Sequence, residues 1–305
     1  VAYDPNQPEK SMFFGFPSTP GVFDVDFDGY ADVVIIGDMG GQVWKWAIDT
    51  VGEDPIRNVA YGTDQPNWPF SRFFATDSYL DPVSGNRYWK SLFFRPGLTR
   101  IAGTYWMAFA TGQRANLRWA GFPSTTDDDD RIYVMKDLDL FLKLDPTPTT
   151  LTEADIDGGS PGAADYTTTL GTCNPPAGLG FYVRGAADGE KFVTQTVLFA
   201  GYVITASFTP AAVVACGESG DGTLYTFSLA CGEGLTVTNS VTSAQTTITK
   251  SNMGGGMPSD PQVTMDNKSG DTTVIVRLQD GAIWQPPGDF NAGSEGYGQL
   301  YWRER

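Results

Sequence analysis

The segment FDVDFDGYADVVIIGD places Asp24, Asp26, Asp28 and Asp32 at positions 1, 3, 5 and 9 of a short loop, with Gly29 at position 6. Ca²⁺ takes roughly six to eight hard oxygen ligands at about 2.3–2.6 Å, and alternate carboxylates in a tightly turning chain converge on such an ion. Gly29 permits the sharp turn, Tyr30 at position 7 offers its backbone carbonyl, and Asp32 binds directly or through water. The bland alternative is a solvated acidic turn, which must hold four carboxylates together against their mutual repulsion. A helix-loop-helix calcium site would need a bidentate Glu at position 12, where this chain has Ile35. The loop therefore leads straight into a hydrophobic strand.

Other acidic groups carry less. The run Asp127 to Asp130 is consecutive, and neighbouring side chains of an extended chain point to opposite sides, so a solvated loop is expected. Asp155, Asp157 and Asp165 surround a Gly-Gly turn but fit no defined cation loop. Histidine is absent, which removes Ser-His and Cys-His hydrolysis from the chain's repertoire. No phosphate-cradling glycine loop occurs, and thirty-six acidic residues make accidental glycosidase-like pairs unspecific. Asn267-Lys268-Ser269 matches a glycosylation sequon, a short pattern that chance also produces.

Twenty Lys+Arg against those acids give a net charge of −16, which disfavours nucleic acid and anionic lipid and attracts divalent cations. The balance suits a secreted protein, and no stretch approaches the roughly 20 apolar residues of a membrane helix. The chain starts at Val1 rather than Met, and the expectation is that a signal peptide has been removed or that a longer protein contains it. Of the three cysteines, Cys216 and Cys231 bracket a candidate hairpin and are expected to pair, with Cys173 left over.

The elements that must position the loop are short strands. Thirty-six Gly and twenty Pro punctuate the 305 residues, and strands are expected at 33–37, 42–47, 101–111, 131–136, 191–199, 202–209, 223–229, 272–278 and 282–285. LDLFLKL, 138–144, is the one candidate helix, but it reads equally well as strand by its strict alternation, and strand is expected. VVIIGDMGGQVWKW from Val33 and TVIVRLQDGAIWQP from Thr273 share an aliphatic run, a glycine turn and an aliphatic-Trp pair, with SGDGTLYTF from Ser219 a looser copy. Repeated hairpins of this kind predict an all-β propeller in one domain, 1–305, with Trp44, Trp46, Trp284 and Trp302 as blade core. Segments 54–97 and 145–180 read as insertions, the first an aromatic-rich candidate partner surface and the second a surface loop. Seven blades of about 40 to 45 residues would consume the whole chain, so the insertions leave an incomplete ring.

Several segments resemble the C-terminal propeller of PilY/PilC-type pilus proteins. DVDFDGYADVVIIGDMGGQVWKWAID is similar to that family's calcium loop and tryptophan strand. MAFATGQRANL with RIYVMKD, GEKFVTQTVLFAGYVITASFTPA, CGESGDGTLYTFSLACGEG and the terminal GQLYWRER resemble its other blades. The resemblance implies a calcium-binding, non-enzymatic surface protein at the tip of type IV pili, acting in pilus assembly, extension and adhesion. It implies minor pilins as partners, host or abiotic surfaces as adhesion targets, and Asp24, Asp26, Asp28, Tyr30 and Asp32 as calcium ligands. The alternatives are a quinoprotein-like propeller oxidoreductase, although the adjacent cysteines of many such enzymes are missing, and an integrin-like calcium-dependent binding propeller.

Overall fold

The computed structural model describes residues 12–27, 29–48, 70–117, 128–141, 149–156, 162–211, 220–266, 271–291 and 298–299. The first sheet is an up-and-down meander of β1 (Gly21–Phe23), β2 (Val33–Gly37), β3 (Gln42–Ala47) and β4 (Phe70–Ala75). A small hairpin of β5 (Tyr79–Leu80) and β6 (Arg87–Tyr88) follows. The second sheet runs through β7 (Gly97–Ile101), β8 (Thr104–Ala110), β9 (Arg131–Asp137) and β10 (Gly180–Arg184). A one-turn helix, α1 (Glu153–Ile156), lies between the last two.

Strands β11 (Lys191–Phe192), β12 (Val197–Phe199), β13 (Tyr202–Thr209) and β14 (Asp221–Ser228) begin the third sheet. The ribbon of β15 (Leu235–Thr238) and β16 (Gln245–Ile248) interrupts it before β17 (Lys250–Gly255) pairs with β14. A fourth sheet joins β18 (Gln262–Met265), β19 (Asp271–Arg277), β20 (Ile283–Trp284) and β21 (Phe290–Asn291). Finally β22 (Gly298–Gln299) adds to the edge of the second sheet beside β7. Four antiparallel meanders of this kind are blade-like.

Alternation explains why they stack. Along β13, Val203 faces the core shared by the first three sheets, whereas Ile204 and Ala206 face the core shared with the fourth. Its partner β14 splits the same way, Tyr225 and Phe227 to one side and Leu224 to the other. A strand apolar on both faces must be covered on both. In the first sheet Val33, Ile35 and Val43 turn inward, while Trp44 and Trp46 pack on Phe70 at ring separations of 5.3 and 4.3 Å. Trp44 is buried core as expected, Trp284 is half-buried, and Trp302 lies outside the described residues.

Several expectations are corrected. Segment 101–111 is the turn and second arm of a hairpin, because Ala102 and Gly103 both adopt positive φ and reverse the chain. The segment 191–199 breaks into β11 and β12, and residues 138–141 form a turn rather than a strand, with 142–144 outside the described residues. The expected insertion 54–97 contains β4, the fourth strand of the first sheet, so Phe73 and Phe74 are core. Within 145–180, Leu151 hydrogen-bonds the backbone of Phe73 and Ala75, and Ile156 and Tyr166 are buried, so the described part of this segment is packed and is no surface loop. The disulfide joins Cys173 to Cys231, not Cys216 to Cys231, and Cys216 lies outside the described residues. Backbone bonds from Gly171 N to Gly232 O (2.9 Å) and from Asn174 N to Cys231 O (2.8 Å) bring the two cysteines together. Closing a loop of 58 residues removes unfolded-state entropy worth about 4 kcal/mol.

Buried charges tie the sheets together. Lys45 on β3 donates to Asp137 on β9 at 2.6 Å and to the Asp139 carbonyl at 2.9 Å, with the paired side chains 1% and 2% exposed. Burial lowers the Lys45 pKa, and the Asp137 charge opposes that shift. At the other end of β9, Asp130 accepts from Thr111 Oγ1 (2.9 Å) and the Tyr88 hydroxyl (3.1 Å), while burial pushes its pKa up to about 6. Asp129, half-buried and 3.7 Å from Arg184, is likewise raised to about 6 by burial and by Asp128.

Two measurements check these contacts. Lys45→Ala strands a buried carboxylate and should cost about 3–5 kcal/mol in denaturant unfolding, while Lys45→Met with Asp137→Leu should recover most of it. A double variant as unstable as the single one would contradict this. Asp129 binds its proton up to about pH 6 when folded but only to about pH 4 when unfolded, so its contribution to stability is full below about pH 4 and is lost as pH rises through 6. Asp129→Asn should therefore gain in melting temperature relative to wild type as pH rises from about 4 to about 7, and a pH-independent difference would refute the shift.

Candidate metal centre

The loop between β1 and β2 is closed at its base by backbone. Phe23 pairs with Val33, Asp32 N donates to Phe23 O at 2.8 Å, and Ile48 N donates to Asp32 O at 2.7 Å, which ties the loop to β3 as well. Inside, Phe27 and Gly29 adopt positive φ of 65° and 92°. A Cβ at Gly29 would meet nothing within 4 Å, so glycine is favoured there for its backbone conformation alone. These two residues fold the strand-like alternation of Asp24, Val25 and Asp26 back on itself.

Each terminal carboxylate uses one oxygen to hold the turn. Asp24 Oδ2 accepts from Gly29 N at 2.8 Å, and Asp32 Oδ2 accepts from Val25 N at 2.7 Å. Asp24 is 8% exposed and Asp32 0%, whereas Asp26 sits on the solvent side. The other oxygen of Asp24, Oδ1, is buried with no hydrogen-bond partner. Carboxylate oxygens of Asp24, Asp26 and Asp32 lie within 4.8 Å of one another. Two ligands of one Ca²⁺ can be at most about 5 Å apart, so this spacing fits a shared ion, and the orphaned Asp24 oxygen is what a hard cation would satisfy.

Three of the expected ligand side chains are thus brought together. Asp28 lies outside the described residues. The Tyr30 side chain is exposed, which leaves its backbone carbonyl as the group it can offer. Ile35, where a helix-loop-helix site needs its Glu, is fully buried in β2. The negative field reaches the second sheet: burial raises the Tyr105 pKa, Arg100 opposes, and the charges of Asp32 and Asp26 add to the rise.

The other acidic groups do not form a centre among the described residues. Asp130 turns into the protein to Thr111 and Tyr88, and Asp129 turns to Arg184. Asp155 caps Thr152, Asp165 pairs with Arg184 at 2.8 Å, and Asp127 and Asp157 lie outside the described residues. Cys173, Cys231 and Glu233 also cluster, but both sulfurs are spent in the disulfide. What sequence reasoning missed is Asp38, which accepts from Gly40 N, Gln42 N and Trp44 Nε1 at 2.8–3.0 Å and shapes the β2–β3 turn. The Asp-x-x-Gly spacing into Gly41 was the available signal.

No family model and no curated protein matches the chain in sequence. Among solved structures it is similar to the C-terminal domain of PilY1 from Pseudomonas aeruginosa, with a TM-score of 0.56 and 16% identity. The alignment covers 88% of this chain and 60% of that one, so the chain spans about three fifths of its structural neighbour. Likeness at that identity speaks to the fold, and with the four meanders it makes this chain an all-β propeller of the kind seen in the PilY1 C-terminal domain.

Proposed function

We propose that the chain is a calcium-binding surface protein of the type IV pilus system, acting in pilus assembly and extension and in tip adhesion rather than in catalysis. The buried, unpartnered Asp24 oxygen beside Asp26 and Asp32 carries the calcium reading. The shared fold with the PilY1 C-terminal domain supports the pilus reading, with minor pilins as partners and an extracellular position at the pilus tip. A net charge of −16 suits that exterior and disfavours nucleic acid, and no described helix is long and apolar enough to cross a membrane.

Asp24, Asp26, Asp28 and Asp32 with the Tyr30 carbonyl would hold the ion. Bound Ca²⁺ supplies positive charge to carboxylates that otherwise repel. The residues do the rest. Asp24 and Asp32 already brace the turn through Gly29 N and Val25 N, so relief of their repulsion stiffens the edge where β1 and β2 join.

Calcium at a hundredfold excess over Kd should add about 2.7 kcal/mol to stability, seen as a higher melting temperature than in EGTA. Asp32→Asn should abolish most of that difference, and wild type melting identically with and without calcium would end the metal reading. Retention of minor pilins on the immobilised chain, weakened by EGTA, tests the pilus reading separately.

A further inference from the structure

The acidic loop turns two large aromatic side chains outward. Phe27 is 66% exposed and Tyr30 71%, on either side of Gly29 in sequence, and Asp26 next to them lies on the solvent side. Phe27 holds a φ of 65°, a left-handed conformation that costs a bulky residue backbone energy and costs glycine none. Burial does not repay that cost, because the ring stands in water. A strained residue that shows its ring to solvent is placed for something outside the chain.

The oxygens of the loop point the same way. On the calcium reading, on which this inference rests, Asp24, Asp26, Asp28, Asp32 and the Tyr30 carbonyl hold the ion. Asp24 and Asp32 each have one oxygen already taken by a backbone N–H, from Gly29 and Val25. Five groups giving about one oxygen each fall short of the roughly six to eight that Ca²⁺ takes, so about one to three positions remain for water or an outside ligand. Asp24 and Asp32 close the buried side, which leaves those positions to the side of Asp26, Phe27 and Tyr30.

Charge decides which ligand. Four aspartates against a divalent ion leave the loop about two charges negative, in a chain at −16, so a carboxylate or phosphate from outside is repelled. Neutral hydroxyl oxygens are not. A vicinal pair of hydroxyls offers two hard oxygens at once, and the C–H face of a sugar ring is apolar enough to lie on Phe27 and Tyr30. We infer that the loop, with calcium, binds a neutral saccharide through its vicinal hydroxyls, and that Phe27 and Tyr30 are the faces on which the sugar packs. Adhesion at the pilus tip would then read a neutral glycan.

Saturation-transfer NMR and calorimetric titration of the full chain with mannotriose, galactotriose and cellotriose, in millimolar calcium and in EGTA, test it. At least one trisaccharide should bind in calcium and at least about tenfold more weakly in EGTA, with saturation reaching its ring protons from aromatic side chains. Phe27→Gly should weaken that binding at least about tenfold, yet melt no lower than wild type and keep the calcium-dependent rise, because glycine suits the positive φ. Tyr30→Ala should weaken it as well. A calcium-dependent rise in melting temperature with no trisaccharide bound overturns this inference and leaves the calcium reading standing, whereas no such rise removes both. Unchanged binding by Phe27→Gly, equal binding in EGTA, or tighter binding of triglutamate or phosphatidylserine vesicles also overturns it.

Discussion

The described strands of this chain are short, and alternation along β13 and β14 gives the third sheet two apolar faces that must both be covered. The constraint is sharpest at β13 and β14, where Val203, Tyr225 and Phe227 serve one core and Ile204, Ala206 and Leu224 the other. No single sheet could satisfy it, so stacked meanders are the solution the side chains force. The loops at the sheet ends inherit fixed positions from that stacking. The acidic loop depends on it.

Charge is the second constraint. With thirty-six acidic and twenty basic side chains, each cation that enters the interior has a specific task. Lys45 neutralises Asp137, Arg131 meets Glu153, and Arg184 lies between Asp129 and Asp165. The Lys45–Asp137 pair joins the first sheet to the second, 92 residues apart in sequence. Buried pairs of this kind are costly to break and modest in net stabilisation.

Much of the fold was legible because its signals are local. Alternation in YVITASFT coincides with β13 to the residue, and VVIIG and QVWKWA coincide with β2 and β3. The aspartate spacing likewise pointed to Asp24, Asp26 and Asp32 as neighbours. What escaped is non-local or hides in ordinary residues. Nothing about Ala102 announces a positive φ, and the Cys173 pairing depends on a strand-like contact between Gly171 and Glu233. Phe70 to Ala75 looked like insertion because its partner β3 lies beyond residues that carry no strand signal.

Strand β2 carries a buried aspartate turn at each end, and the two differ in how the protein answers the charge. Burial raises the pKa of Asp38, with the Trp44, Gln42 and Gly40 hydrogen bonds opposing, so neutral donors from the protein itself answer its charge. Those three donors converge on a single carboxylate. At the other end Asp24 and Asp32 receive one backbone N–H each among the bonds that build the turn, and Asp26 crowds in beside them. The buried Asp24 Oδ1 has no hydrogen-bond partner there. On the calcium reading proposed above, a hard cation would balance three converging carboxylates, whereas one carboxylate ringed by N–H groups needs none.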